Sequence, residues 1–82
     1  MIKKSLPEQL LLDFLSSYSH LLRADVVKFM VEDIDHNECG LAYDALIFEM
    51  QHKYLVADKI ILADIKNIAE SMAIVYPKLS TD

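Results

Sequence analysis

An imidazole and a thiol three positions apart, His36 and Cys39, are the nearest this chain comes to a nucleophile beside its base. Such a pair needs a third group to orient the imidazole and donors to hold an oxyanion, and no motif supplies either. His20, His36 and His52 lack the His-x-x-x-His or Glu-flanked spacing that places two metal ligands on one helix face. Gly40 is the only glycine, whereas a phosphate-cradling loop needs several between a strand and a helix. Cys39, the single cysteine, has no second thiol for a disulfide or a zinc knuckle, and it is expected to pack as a small hydrophobe. No catalytic residue, metal ligand or cofactor is therefore expected, and the chain reads as one that acts by binding another macromolecule.

The pattern that does carry chemistry is acidic. Glu32, Asp33, Asp35 and Glu38 place four carboxylates within seven positions, three of them in the last turn of a predicted helix. A helix C-terminus carries partial negative charge, so each acid there costs about 0.3 to 1 kcal/mol at low salt and also repels its neighbours. A local rule broken without a local gain marks a candidate surface for something basic, the competing explanation being a solvated helix end. Tyr43, with Tyr54, is a candidate anchor beside it if the ring faces outward, since exposed tyrosine is common at interfaces.

Four predicted helices must position these residues. Ser5-Leu6-Pro7-Glu8 has the spacing of a capping box and opens helix one, whose apolar face is Leu10, Leu11, Phe14, Leu15 and Tyr18. The second runs from about His20 to Asp35 with a stripe of Leu22, Val26, Phe29 and Met30, Val27 and Ile34 lying at its margin. His36-Asn37 breaks the chain before a third helix from about Glu38 to Lys53. Its apolar residues wrap widely: Leu41, Ala45 and Phe48 on one line, Tyr43, Ile47, Met50 and Tyr54 on another, Ala42 and Leu46 between. His52 falls near its C-terminus, and Met30, Met50 and Met72 read as core. Tyr54 to Ala57 form a connector, and Asp58 caps a last helix striped by Ile61, Leu62, Ile65, Ile68, Ala69 and Met72 that stops by Tyr76, before Pro77. The expected fold is all-α, a compact antiparallel bundle of about four helices in a single domain over residues 1–82, with residues 1–4 and 77–82 frayed.

Composition agrees. A chain of 82 residues supports one core, and 54% apolar residues with one Gly and two Pro suit few, long elements. The longest apolar run, Met72 to Tyr76, is far short of the roughly 20 residues that cross a bilayer, so no membrane association and a cytoplasmic location are expected. A net charge of −5 argues against nucleic acid as a direct ligand. Acyl carriers share this length, acidity and helix count, but Asn37-Glu38-Cys39-Gly40 offers no hydroxyl where they carry the serine that takes the phosphopantetheine arm.

The run from Asp33 to Leu46 resembles the middle of the small MafI-type immunity proteins. There an acidic helix end and a polar turn lead into a helix opening Gly-x-Ala-x-x-x-Leu, matched by Gly40, Ala42 and Leu46; Asn37 and Cys39 stand in place of a glycine and an aromatic residue. The connector and capped helix of Tyr54 to Met72 are also similar, so the resemblance spans Leu10 to Met72. It implies a protein that protects its own cell by binding a cognate toxin domain, expected to be a nuclease, and covering its basic groove with no turnover. A monomer forming a one-to-one complex is then expected, with Glu32, Asp33, Asp35, Glu38 and Tyr43 as contact residues. The alternative is an acidic helical regulatory or adaptor subunit that binds a partner helix, or its own copy, on helix three.

Overall fold

Ser5 opens the first helix as its spacing to Glu8 predicts. In the computed structural model, which describes residues 5–72, the Ser5 amide donates to Glu8 Oε1 at 3.0 Å and the Glu8 amide donates back to Ser5 Oγ at 3.4 Å. Helix α1 then spans Leu6–Tyr18, followed by one 3-10 turn, Ser19–Leu21, and by α2 at Ala24–Asp35, α3 at Cys39–Gln51 and α4 at Lys59–Ser71. Asp58 caps α4 by accepting from the Ile61 amide at 2.9 Å. Among the described residues the fold is all-α, as expected. Helix α4 ends at Ser71, ahead of the expected limit at Tyr76, and the predicted frayed ends lie outside the described residues.

Helix α1 contacts all three other helices, and α2 and α3 form the most extensive pair. One core joins them: Leu11, Phe14 and Leu15 of α1, Val26, Met30 and Ile34 of α2, Ala42, Leu46 and Ile47 of α3, and Ile61, Ile65 and Ile68 of α4. Met30 and Met72 are buried and Met50 packs at the edge.

Two expectations about α2 are corrected. The helix starts at Ala24 and not near His20, because Leu22 and Arg23 adopt extended backbone and carry Leu22 into the core. The buried line is consequently Val26, Met30 and Ile34, one helical ridge at spacing four, so Ile34 is fully buried while Phe29 is 60% exposed. On α3 the inward face is likewise displaced: Ala42, Tyr43, Leu46, Ile47 and Glu49 are buried, and Leu41 and Phe48 look outward. Phe48 packs its ring on His52, centroids 4.0 Å apart, at the end of that helix.

Glu49 is the one buried charged residue among those described. Arg23, at the N-cap of α2, meets it with both faces of a fork: Nε donates to Oε1 at 2.9 Å and Nη2 to Oε2 at 2.6 Å. The same guanidinium lies 4.0 Å over the ring of Tyr54. The Glu49 carbonyl accepts from the Leu55 amide at 3.0 Å, and Lys53 takes the left-handed conformation, φ 62°, that turns the chain toward α4. One residue thus ties the start of α2, the end of α3 and the connector, and it fixes α2 and α3 as antiparallel neighbours.

Removing one partner of such a pair strands a buried charge, which costs more than the intact pair contributes. Arg23→Met is expected to lose about 3 kcal/mol of stability, near the lower end for buried pairs because the guanidinium is partly exposed. Adding Glu49→Leu to that variant should recover most of the loss, and urea denaturation of the wild type, both single variants and the double variant checks the cycle.

Candidate interaction surface

Helix α2 ends in a tight backbone motif. The Asn37 amide donates to the Ile34 carbonyl at 3.1 Å and the Glu38 amide to the Asp33 carbonyl at 2.7 Å, with Asn37 left-handed at φ 60°. This pair of bonds satisfies carbonyls that a helix end otherwise leaves open, and asparagine is among the few residues other than glycine that adopt the angle readily. The His36 ring adds a third contact, its Nδ1 lying 2.7 Å from the Glu32 carbonyl.

The turn carries the four acids that the sequence singles out. Glu32, Asp35 and Glu38 are exposed and Asp33 is half-buried. Glu38 is the N-cap of α3, and its side chain makes no capping bond, so its carboxylate meets the start of α3 through charge alone. The charges affect one another. Burial first, then the Glu38 and Glu32 carboxylates, push the Asp33 carboxyl above its ordinary range. The bond to the Glu32 carbonyl, reinforced by Glu38, Asp35 and Glu32, raises the His36 imidazole above its ordinary 6.5.

Tyr43 does not belong to this surface. Its ring is fully buried in the core, because α3 turns the Tyr43–Ile47 line inward, so it is corrected from a candidate anchor to a packing residue. Tyr54 is the exposed one, with its ring beneath Arg23. Cys39 is half-buried against the core, and burial pushes its thiol up, away from the thiolate a nucleophile requires. Among the described residues no group of three or more His, Cys, Asp or Glu is arranged to hold a metal ion, and no helix is long and apolar enough to cross a membrane.

Arg23 and Glu49 escaped the sequence reading. The signal was present, for Glu49 follows Ala42 and Leu46 at spacings of four and three, a lone acid on an otherwise apolar line. A carboxylate in that register asks for a basic partner from another element.

Comparisons with family models, with curated proteins and with solved structures found no match to this chain.

Both titrations have the same sign. Each group has a folded pKa above its unfolded one, so its stabilising contribution is complete below the unfolded value and is lost as pH rises through the folded value. For Asp33 that window opens at the ordinary 3.8, and for His36 at 6.5. Asp33→Asn should therefore stabilise the fold at neutral pH, by a few tenths of a kcal/mol. The gain should disappear on acidification through the Asp33 window, as followed by thermal unfolding at a series of pH values.

Proposed function

We propose that this protein is an immunity-type inhibitor that binds a basic toxin domain through its α2–α3 turn. The observation that carries this reading is the set of carboxylates at Glu32, Asp33, Asp35 and Glu38, the first three gathered in the last turn of α2 where the backbone dipole disfavours them and the fourth beside them at the N-cap of α3. Among the described residues no lysine or arginine forms an ion pair with any of the four; the ion pair there is Arg23–Glu49, at the opposite end of α2. The backbone bonds at Asn37 and Glu38 hold the turn before a partner arrives, which lowers the ordering cost of association.

The resemblance of Asp33 to Leu46 to the MafI-type proteins supplies the class of partner, a toxin domain with a basic groove, expected to be a nuclease. The acids would lie where the nucleic-acid backbone otherwise binds, and occlusion alone inhibits, with no cofactor and no turnover. On this reading the protein acts as a monomer, one to one, in the cytoplasm it protects.

A second reading rests on α3, where Leu41 and Phe48 are about half exposed on the outward face. Such a face suits an adaptor that docks a partner helix or a second copy. Sedimentation at several concentrations separates the two, because a dimer that Phe48→Ser dissolves favours the adaptor.

The inhibitor reading is tested by replacing Asp33, Asp35 and Glu38 with Lys. The variant should stay folded by circular dichroism, since removing Asp33 and Asp35 from the end of α2 is neutral or mildly stabilising and offsets the modest cost of a lysine at the N-cap of α3. It should lose protection when coexpressed with the toxin encoded beside it. Nanomolar binding is worth about 12 kcal/mol, and like charges across a basic groove cost several of these. Wild-type association should also slow steeply between low and physiological salt. A folded variant that still protects, with unchanged rate and salt dependence, would reduce the cluster to a solvated helix end.

A further inference from the structure

A cleft of about 280 Å³ opens between α1 and α4, on residues that neither the acidic turn nor the Arg23–Glu49 pair uses. Leu10 and Ile68 give it apolar lining, and its other lining residues are Asp13, Phe14, Ser17, Tyr18, Asp64 and Asn67. None of these described residues is basic.

The polar groups are already oriented. The Tyr18 hydroxyl donates to Asp64 Oδ2 at 2.7 Å, and Gln9 Nε2 donates to Asp13 Oδ1 at 2.9 Å. Each bond steers a carboxylate and leaves acceptor capacity on it. The bond to Asp64, with its negative charge, raises the Tyr18 phenol above its ordinary pKa, so the hydroxyl remains a donor and the carboxylate stays the acceptor. Ser17 and Asn67 add further acceptors. The rings of Phe14 and Tyr18, packed with centroids 4.8 Å apart and planes inclined at 58°, both line the cleft, Phe14 buried behind the half-buried Tyr18.

An acceptor-rich cleft with two carboxylates and an aromatic pair is complementary to a flat, donor-rich cation. We propose that it binds an arginine side chain of a protein partner, with the guanidinium paired to Asp64 and Asp13 against the Tyr18 ring. Arginine suits it better than lysine, because a planar guanidinium can stack on a ring and still donate in its own plane to a carboxylate, whereas an ammonium is a compact and strongly hydrated charge. The inference rests on the proposed inhibitor reading only for the source of that arginine, a basic partner surface. The cleft would then be a second anchor, separate from the α2–α3 turn.

The test uses the full chain and N-acetyl-arginine amide as the probe, read by amide chemical shifts. Shifts should concentrate at residues 13–18 and 64–68, with millimolar affinity, and N-acetyl-lysine amide should bind several times more weakly. Asp13→Asn and Asp64→Asn should each weaken binding about tenfold. Tyr18→Phe keeps the ring and releases an oxygen of Asp64, so binding should be retained or tightened. Equal responses to arginine and lysine amides, shifts confined to residues 32–38, or an unchanged response in a folded Asp13→Asn/Asp64→Asn variant would each overturn the proposal. Tighter binding of free arginine than of the capped amide would assign the cleft to the amino acid and overturn the protein source. No toxin enters this experiment, so its failure is distinct from a failure of the inhibitor reading, which coexpression alone decides.

Discussion

The bundle depends on a carboxylate that hydrophobic packing alone would not have chosen. Glu49 is completely buried, and an unpaired charge in that position would cost several kcal/mol, a large share of the stability available to a domain of this size. Arg23 meets it with two nitrogens, and that requirement reaches outward through the chain. The guanidinium must sit at the entry to α2, so the chain cannot continue helically from the 3-10 turn, and Leu22 and Arg23 are drawn out into extended backbone. The Tyr54 ring then lies against the guanidinium, and the Leu55 amide closes on the Glu49 carbonyl. The start of α2, the end of α3 and the approach to α4 are consequently set by one interaction. A well-packed apolar residue at Glu49 could equal the pair in stability, but it would not specify where Arg23 and Tyr54 lie.

At the other end of α2 and α3 the logic is different. The turn at Asn37 and Glu38 is held by backbone bonds and by one left-handed asparagine, with no side-chain cap on α3. Apart from the His36 ring on the Glu32 carbonyl, side-chain hydrogen bonds play little part in holding it. Glu32, Asp35 and Glu38 project into solvent, and the half-buried Asp33 has a raised pKa, first from burial and then from the Glu38 and Glu32 charges. A frame built from main chain leaves its side chains open to selection for something other than stability. That is the physical basis for proposing a partner surface here.

Much of the fold was legible because the local signals are strong and agree with the global arrangement. Ser5 with Glu8, and Asp58 before Ile60 and Ile61, mark helix starts that the structure has at the same residues. The stripe of α4 and the face of α1 follow simple helical spacing, and both are buried largely as read, although Leu62 is partly exposed. The errors arise where a tertiary partner overrides periodicity. Phe29 looked like core because the stripe was counted from Leu22, which the Arg23–Glu49 pair removes from the helix. Tyr43 looked like a possible anchor because α3 is apolar all round, so spacing alone could not say which face turns inward. The acidic turn needed no such information, since its unfavourable placement is a property of neighbouring residues and a helix end.

On the proposed reading, the two ends of the α2–α3 pair divide the work of folding and of recognition. A cluster of like charges at a helix C-terminus is destabilising wherever it occurs, and in so small a domain it can be kept only if other interactions hold the helices in register. The Arg23–Glu49 tie does this from the far end, about the length of the helix away, where the acids scarcely reach it through screened solvent. Relieving the charge should therefore strengthen the fold locally and leave the tie undisturbed. If the acids are merely solvated, nothing offsets the stability they forfeit. If they face a basic partner, the repulsion that adds to burial in raising the Asp33 pKa is discharged on binding, because a cation placed among the carboxylates stabilises all of them together. A cation close enough to the half-buried Asp33 carboxyl should then drive it back toward its ordinary range in the complex, and protons should be released as the partner binds. A binding reaction whose affinity rises with pH through the Asp33 window is thus the linkage expected of a functional acidic surface and not of an idle one.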